Sequence, residues 1–450
     1  MNEHVFRAYD IRGVADRDLD DAFVTALGRA FGTVVREAGG QRVIVGRDCR
    51  PSGDRLRAAL VTGIRGAGVD VLDIGVVATP ILYWAVHRYD ADGGVQITGS
   101  HNPAPDNGFK IMLGKGSFFG EALQALKARI LAEDFASGLG AYEEKAVTDA
   151  YVADCAEHLD FGRNALRVAV DGGNGTGGPP AVALLERLGV DVIPLYIPMD
   201  GTFPNHHPDP TVPENLAALV RAVDKHKADV GIAYDGDADR IGVIDDQGRV
   251  LWGDRLMILL ARAVLREHPG AAILGEVKCS HTLFADVEKH GGRALMCPVG
   301  HSIIKQRMKE ERALLAGEMS GHIFFADRWF GFDDAIYVTG RLLEILSKSD
   351  KPLSALLADV PETCVTPEIR VDCPDDRKFD VVAKAVAHFG AERPVVAIDG
   401  ARVDFGDGWG LIRASNTQPA LVLRAEAETE DGLARIRATL EGFIREAASA

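Results

Sequence analysis

Asp235, Asp237 and Asp239 stand at alternate positions in the run Asp235-Gly236-Asp237-Ala238-Asp239-Arg240. Carboxylates this close repel one another unless a cation lies between them. Oxygen donors select a hard ion, Mg2+, Mn2+ or Ca2+, over zinc. The EF-hand reading fails on spacing, because that loop needs Gly at its sixth position and Glu at its twelfth, where this chain has Arg240 and Asp246. An acidic solvated turn is the plainer alternative, and the third Asp and the following Arg240 count against it. Mg2+ binds few protein carboxylates and shares phosphate oxygens, so the loop asks for a phosphate. Thr98-Gly99-Ser100-His101-Asn102-Pro103 offers a place for one. Taken alone, Ser100 is a turn residue in a Gly/Asn/Pro loop. Opposite a metal loop it becomes a candidate phosphate carrier.

Two further loops complete the set. Arg413-Ala414-Ser415-Asn416-Thr417-Gln418-Pro419, followed by Arg424, forms an anion cradle of two guanidiniums, hydroxyls, an amide and backbone N–H groups. An ordinary hairpin turn with edge arginines is its alternative. Gly317-Glu318-Met319-Ser320-Gly321-His322 places Glu318 and Ser320 to bond vicinal hydroxyls of a sugar, while His322 reads as a structural histidine. Arg12, Lys110, Lys278 and His301 fall at apparent strand ends or in loops, where open α/β sheets bind ligands. Gly173, Gly175 and Gly178 match a dinucleotide fingerprint. A run this rich in Gly matches by chance, and a tight strand-to-helix turn is the preferred reading.

These loops need elements to position them. The chain has 450 residues, enough for three or four domains. Its formal charge of −16 argues against nonspecific nucleic-acid binding, so cations for an anionic ligand must be concentrated in a cleft. The six cysteines are scattered without a C-x-x-C pair, as in a cytoplasmic protein with reduced thiols. No stretch reaches about 18 uninterrupted apolar residues, so no membrane span is expected, and the N-terminus shows no signal peptide.

Apolar runs at Arg42–Val45, Val69–Leu72, Gly94–Ile97 and Phe109–Met112 read as strands, with helices around Phe23 to Phe31, Leu56 to Ala67 and Glu121 to Leu131. The plan of strand, polar loop and helix repeats from Leu166 and again from about Leu251. Such alternation implies βαβ units and a largely parallel sheet. The last stretch differs, with hairpin signals at Asp399-Gly400 and Asp407-Gly408 and a final amphipathic helix through Leu433, Ile436, Leu440 and Ile444. The expected divisions are 1–145, 146–248, 249–361 and 362–450.

Together the four loops resemble those of the α-D-phosphohexomutase superfamily, in the same order along the chain, and the resemblance runs from end to end. Phe6–Gly13, Met319 and Arg328-Trp329-Phe330-Gly331-Phe332-Asp333-Asp334 are most similar to the bacterial phosphomannomutase/phosphoglucomutase group. The resemblance implies four domains around a central cleft: three related α/β units with mixed sheets and a C-terminal α+β domain with an antiparallel sheet. It implies one Mg2+ per chain, held by Asp235, Asp237, Asp239 and Ser100, and glucose 1,6-bisphosphate as activator and intermediate. Ser100, Lys110, Arg240, His301 and His101 would be catalytic, the general base being Lys110 or His301 with His101 third. Tyr9, Arg12, Lys278, Glu318, Ser320, His322, Arg413, Ser415, Asn416, Thr417 and Arg424 would bind substrate. The expected partners are hexose phosphates, without nucleic acid or membrane, for a monomer or weak homo-oligomer. A phosphoglucosamine mutase, a metal-dependent sugar phosphatase, a noncatalytic sugar-phosphate-binding protein and a dinucleotide enzyme are the alternatives.

Overall fold

The computed structural model describes residues 2–162, 165–416 and 418–449. Four sheets follow one another along the chain. In the first, Asp70–Val76, Arg42–Arg47 and Gly93–Ile97 run parallel and Asp106–Leu113 returns antiparallel, followed by Ile11–Val14. The second repeats this order with Asp191–Leu195, Arg167–Asp171 and Val230–Tyr234 parallel and Ile241–Asp245 antiparallel. The third does so with Arg293–Cys297, Ala272–Glu276, Leu315–Gly317 and Ile323–Phe325.

The sheets are therefore mixed, not largely parallel as strand–helix alternation suggests. Loop length explains the difference. A parallel crossover needs a dozen or more residues, whereas the short loop around Asp237 can only close a hairpin. The consequence for the site is direct. The Ser100 loop, the aspartate loop and the Glu318 loop occupy the same place in their units, between the last parallel strand and the antiparallel return.

The strands delivering these loops are buried on both faces. Every residue of Gly93–Ile97 and of Val230–Tyr234 is buried, which fits near-continuous apolar runs. Two helices are as deeply enclosed, Thr79–Arg88 and Ala335–Ser347. A helix buried all round shows no amphipathic stripe, and neither has a periodic signature in the sequence.

The fourth sheet is antiparallel throughout, with Ala420–Ala427 and Gly408–Ala414 at its centre. Leu433, Ile436, Leu440 and Ile444 of helix Glu430–Ser449 are buried against it. This module keeps its own core, whereas one apolar core runs from Ile44 and Trp84 through Val168 to Leu343, joining the first three units. Arg402 fastens the fourth module to the third by donating to the carbonyls of Val277 and Cys279 at 2.5 and 2.8 Å. The six cysteines are free, and no helix among the described residues is long and apolar enough to cross a membrane.

Candidate active site

Ser100 is buried and held in the left-handed region at φ +48°, uncommon for a residue with a Cβ. Neighbouring groups hold it there. Its N–H donates to Thr98 Oγ1 at 2.8 Å, and Asp48 Oδ2 accepts from Thr98 Oγ1 and from the Gly99 N–H. Arg50, fully enclosed, donates to the carbonyls of Ser100, Asn102, Pro103 and Asp106 at 2.6–2.9 Å. The Ser100 hydroxyl points across the unit boundary and donates to Asp235 Oδ2 at 2.7 Å. The two loops touch along the backbone as well: a Cβ on Gly236 would lie 2.4 Å from the Ser100 carbonyl oxygen.

One carboxylate oxygen from each of Asp235, Asp237 and Asp239 lies within 4.8 Å of the others, and all three side chains are fully buried. Burial, then the charges of Asp239 and Asp237, push the Asp235 carboxyl well above the usual carboxylate range. Oδ1 of Asp237 and of Asp239 are enclosed without a hydrogen-bond donor among the described residues. Buried acceptors left so are costly, and a hard cation would satisfy them. The donor set, all oxygen with a serine hydroxyl beside it, fits such an ion. Lys110 Nζ lies against both, donating to Asp237 Oδ2 at 2.7 Å and to Asp239 Oδ2. Burial opposes the Lys110 charge, but Asp237 and Asp239 outweigh it, so the ammonium stays protonated. Arg12, with a bidentate grip on Asp10, feels the same two aspartates.

Arg240 leaves the metal loop toward the third unit, where its Nε–H donates to His322 Nε2 at 2.9 Å. The other ring nitrogen of His322 therefore carries its proton, and it lies 3.1 Å from Asp333 Oδ2. Asp239, His322 and Asp333 also cluster closely enough to suggest a metal site. With Nε2 accepting from Arg240, Nδ1 of a neutral His322 faces Asp333 as a donor and not as a metal ligand. His301 stacks on His322 with centroids 5.6 Å apart, and neither of its ring nitrogens has a hydrogen-bond partner among the described residues. Burial, reinforced by Lys305, holds His301 well below its ordinary value, so the imidazole is neutral. Burial, followed by the charges of Arg240 and Arg12, does the same to His101, whose Nδ1 lies 3.1 Å from Ser100 Oγ.

The remaining predicted residues meet from the third and fourth units. Glu318 Oε1 accepts from the Gly300 N–H at 2.8 Å and Oε2 from Ser320 Oγ at 3.2 Å. Lys278 donates to Glu368 at 3.2 Å. Arg413 donates to Asp399, which also receives the Val299 N–H. Asn416 Nδ2 donates to the Tyr9 hydroxyl at 2.5 Å, and that hydroxyl donates to the Val299 carbonyl at 3.0 Å. Tyr9 thus ties the first unit to the third and the fourth. Ser415 Oγ accepts from the Gln418 N–H at 3.2 Å. Thr417 lies outside the described residues. Arg424 lies on the same face of the hairpin as Arg413, diagonal to it. In the hairpin register it sits opposite Leu411, two residues short of Arg413, and it faces Asp254 at 3.5 Å. It belongs to the joint between the third and fourth units and lines a different cavity.

Models of the phosphoglucomutase/phosphomannomutase family match nearly the whole chain: α/β/α domain I over residues 3–137, domain II over 149–248, domain III over 252–364 and the C-terminal domain over 368–442. The chain belongs to this family. It is 46% identical to a phosphomannomutase/phosphoglucomutase of Pseudomonas putida, over 97% of this chain and 94% of that one. It is 44% identical to a phosphoglucomutase of Neisseria gonorrhoeae, over 99% and 97%. Among solved structures, a phosphoglucomutase/phosphomannomutase family protein of Burkholderia thailandensis superposes with a TM-score of 0.94 at 42% identity, covering 100% of this chain and 98% of that one.

Several residues of the family fold that serve the site have no sequence signal of their own. Arg50 and Asp48 follow a buried strand, and nothing in their spacing points to residues fifty positions on. Thr79, first residue of its helix, donates to Asp237 Oδ2 at 2.5 Å. Asp333 sits in the quoted run 328–334, yet its pairing with Lys305 and its place beside His322 and His301 appear only in three dimensions. The Gly173 run is the expected tight turn. A Cβ on Gly175 would lie 2.6 Å from the Gly236 carbonyl oxygen, so the run packs against the aspartate loop.

Proposed function

We propose that this enzyme, an isomerase of the phosphohexomutase class, interconverts hexose 6-phosphates and hexose 1-phosphates of glucose and mannose through a phosphorylated Ser100. The observation that carries the reading is the Ser100 hydroxyl 2.7 Å from Asp235 in a buried aspartate triad. The two sugar oxygens are too far apart for direct transfer. Phosphoserine 100 gives its phosphoryl group to the free sugar hydroxyl, the P–Oγ bond breaking as the P–O(sugar) bond forms. The product is the hexose 1,6-bisphosphate. After the intermediate reverses in the cleft, Ser100 Oγ takes the other phosphoryl group back.

Asp235, Asp237, Asp239 and Ser100 would hold Mg2+, which supplies charge stabilisation to the transferring phosphoryl group when bound. Arg240, Arg12 and Lys110 offset charge on that group. The attacking hydroxyl loses its proton to a neutral base. His301 has unpartnered ring nitrogens, whereas Lys110 is held protonated by two carboxylates, so we assign the role to His301, with His101 placed to serve at the Ser100 side. Arg413, Ser415, Asn416 and Thr417, with Tyr9 and Lys278, hold the phosphate that is not reacting, and Glu318, Ser320 and His322 hold the ring hydroxyls. Burial of Ser100 excludes water and protects the phosphoserine from hydrolysis. We further propose domain divisions at 145/146, 248/249 and 361/362, and a cytoplasmic monomer or weak homo-oligomer.

The test is one assay series. Mannose 1-phosphate and glucose 1-phosphate are supplied with Mg2+, with and without glucose 1,6-bisphosphate, beside glucosamine 6-phosphate. Isomerisation of both hexose phosphates, stimulated by the bisphosphate, is expected. Sustained phosphate release without isomerisation would indicate a phosphatase, and far faster turnover of the glucosamine ester a phosphoglucosamine mutase.

A further inference from the structure

A cavity of about 190 Å3 opens between the first and third units, and none of the four loops lines it. Lys115, Lys305 and Lys309 line it, and no Asp or Glu does. That is unusual in a chain of net charge −16. His301, Lys305 and Lys309 stand at i, i+4 and i+8 on helix His301–Glu311, so the two lysines share one face of the helix that begins with His301. Lys309 Nζ donates to the Lys115 carbonyl at 2.9 Å and has no carboxylate partner among the described residues. Lys115 pairs with Asp90 at 2.9 Å, but that carboxylate is 88% exposed, where pairing is weak. Lys305 is buried and donates to Asp333 at 3.0 Å. The fourth side is flat: the His87 ring lies on Phe330 with centroids 4.8 Å apart.

We propose that this cavity binds a phosphoryl dianion, either free phosphate or the phosphoryl end of a small ester, between Lys115 and Lys309 with Lys305 at its base. Concentrated positive charge in a small volume, with Lys115 and Lys309 exposed and Lys305 buried, selects a compact dianion over a larger anion. Burial, with Lys115 and Lys309 adding to it, lowers His87 to about 4, so that ring meets the ligand uncharged. A bound dianion would link the hairpin carrying Lys115 to the helix that begins at His301, joining the first unit to the third beside the cleft. This does not depend on the mutase reading, because the site is read out by binding.

Met112 lines the cavity and is one of seven methionines, which makes it a local reporter. Full-length Arg413→Ala protein, with the catalytic phosphate loop weakened, is labelled at the methionine methyl carbons. It is titrated with inorganic phosphate, with glycerol 3-phosphate, and with chloride at matched ionic strength. The Met112 resonance, identified by its loss in Met112→Leu, is expected to move saturably with phosphate or the ester but not with chloride. Movement with phosphate alone assigns the free ion; movement with the ester alone assigns the ester. Lys115→Glu combined with Lys309→Glu should abolish the movement while leaving the thermal midpoint unchanged. Should that pair fail to fold, Lys115→Gln with Lys309→Gln should weaken the apparent affinity about tenfold, as loss of roughly 1.4 kcal/mol implies. A Met112 resonance that stays fixed, follows chloride equally, or moves as before in the charge variants would overturn the proposal.

Discussion

The Ser100 loop and the Arg413 loop would hold the two phosphates, and they are built differently. The Ser100 loop is clamped. Asp48, Thr98 and Arg50 fix its backbone through six hydrogen bonds, and Asp235 receives its hydroxyl. The Arg413 loop stands on a module with its own core. It reaches the rest of the molecule by contacts at its rim, Asn416 to Tyr9 and Asp399 to the Val299 N–H. The reacting end is preorganised, which favours transition-state charge stabilisation. The holding end, which would accept either phosphate of one sugar, is braced from within its own module, where buried Lys378 donates to the carbonyls of Ser415 and Gln418 at 2.6 and 3.1 Å.

The largest expected effect is at the clamped end. Ser100→Ala should lower kcat by on the order of 10^4-fold or more, as loss of a nucleophile does, while KM changes little; steady-state assays measure both. Chelation of divalent metal should follow, with kcat falling by about 10^3-fold and returning on addition of Mg2+. Arg50→Ala would leave Asp48 buried without its charge partner and remove one donor from each of four carbonyls. It should cost about 3–5 kcal/mol in urea unfolding. A cost near zero would mean that the clamp is ornamental and the two loops are alike.

The joint between the third and fourth units gives a smaller, pH-dependent effect. Glu426 accepts from Ser280 at 2.6 Å and from the Trp409 indole at 2.8 Å. Burial opposes its charge, but hydrogen bonds from His281 and Ser280 outweigh it, lowering the carboxyl from 4.5 to about 2. The folded value lies below the unfolded one. The stabilisation is therefore present above about pH 4.5 and lost as pH falls toward 2. It amounts to about 2–3 kcal/mol by linkage. Glu426→Gln should flatten the acid limb of the stability profile in that window; an unchanged slope would remove Glu426 from the account. At the holding end, Tyr9→Phe removes the hydroxyl that accepts from Asn416 and donates to the Val299 carbonyl. It should raise KM about 5- to 10-fold with little change in kcat, roughly 1 kcal/mol.

The same contrast governs what could be read from the sequence. The three hairpin loops stood out because each joins a buried strand to a polar turn with chemistry-bearing residues at short spacing. Ser100, the aspartates, Glu318 and the C-terminal antiparallel module are all local patterns. Arg50, Thr79 and Asp333 are not. Arg50 and Asp333 act on residues distant in the chain through the folding of their own units, and Thr79 through the packing of the first unit against the second. Arg424 is intermediate: the hairpin register leaves it on the face of Arg413, and only the fold shows that it also faces Asp254 of the third unit. The parallel-sheet expectation failed for a related reason, since periodicity reports strands and not their direction.

The account stands on Ser100 as the carrier of a phosphoryl group. Wild-type protein with Mg2+ should be incubated with glucose 1,6-bisphosphate labelled in its phosphates, freed of ligand, and analysed by intact mass and peptide mapping. The label should sit on Ser100 and nowhere else, and a single addition of unlabelled glucose 6-phosphate should chase it into glucose 1,6-bisphosphate. Undiminished turnover with no label on Ser100, or label that leaves only as inorganic phosphate, would contradict the account.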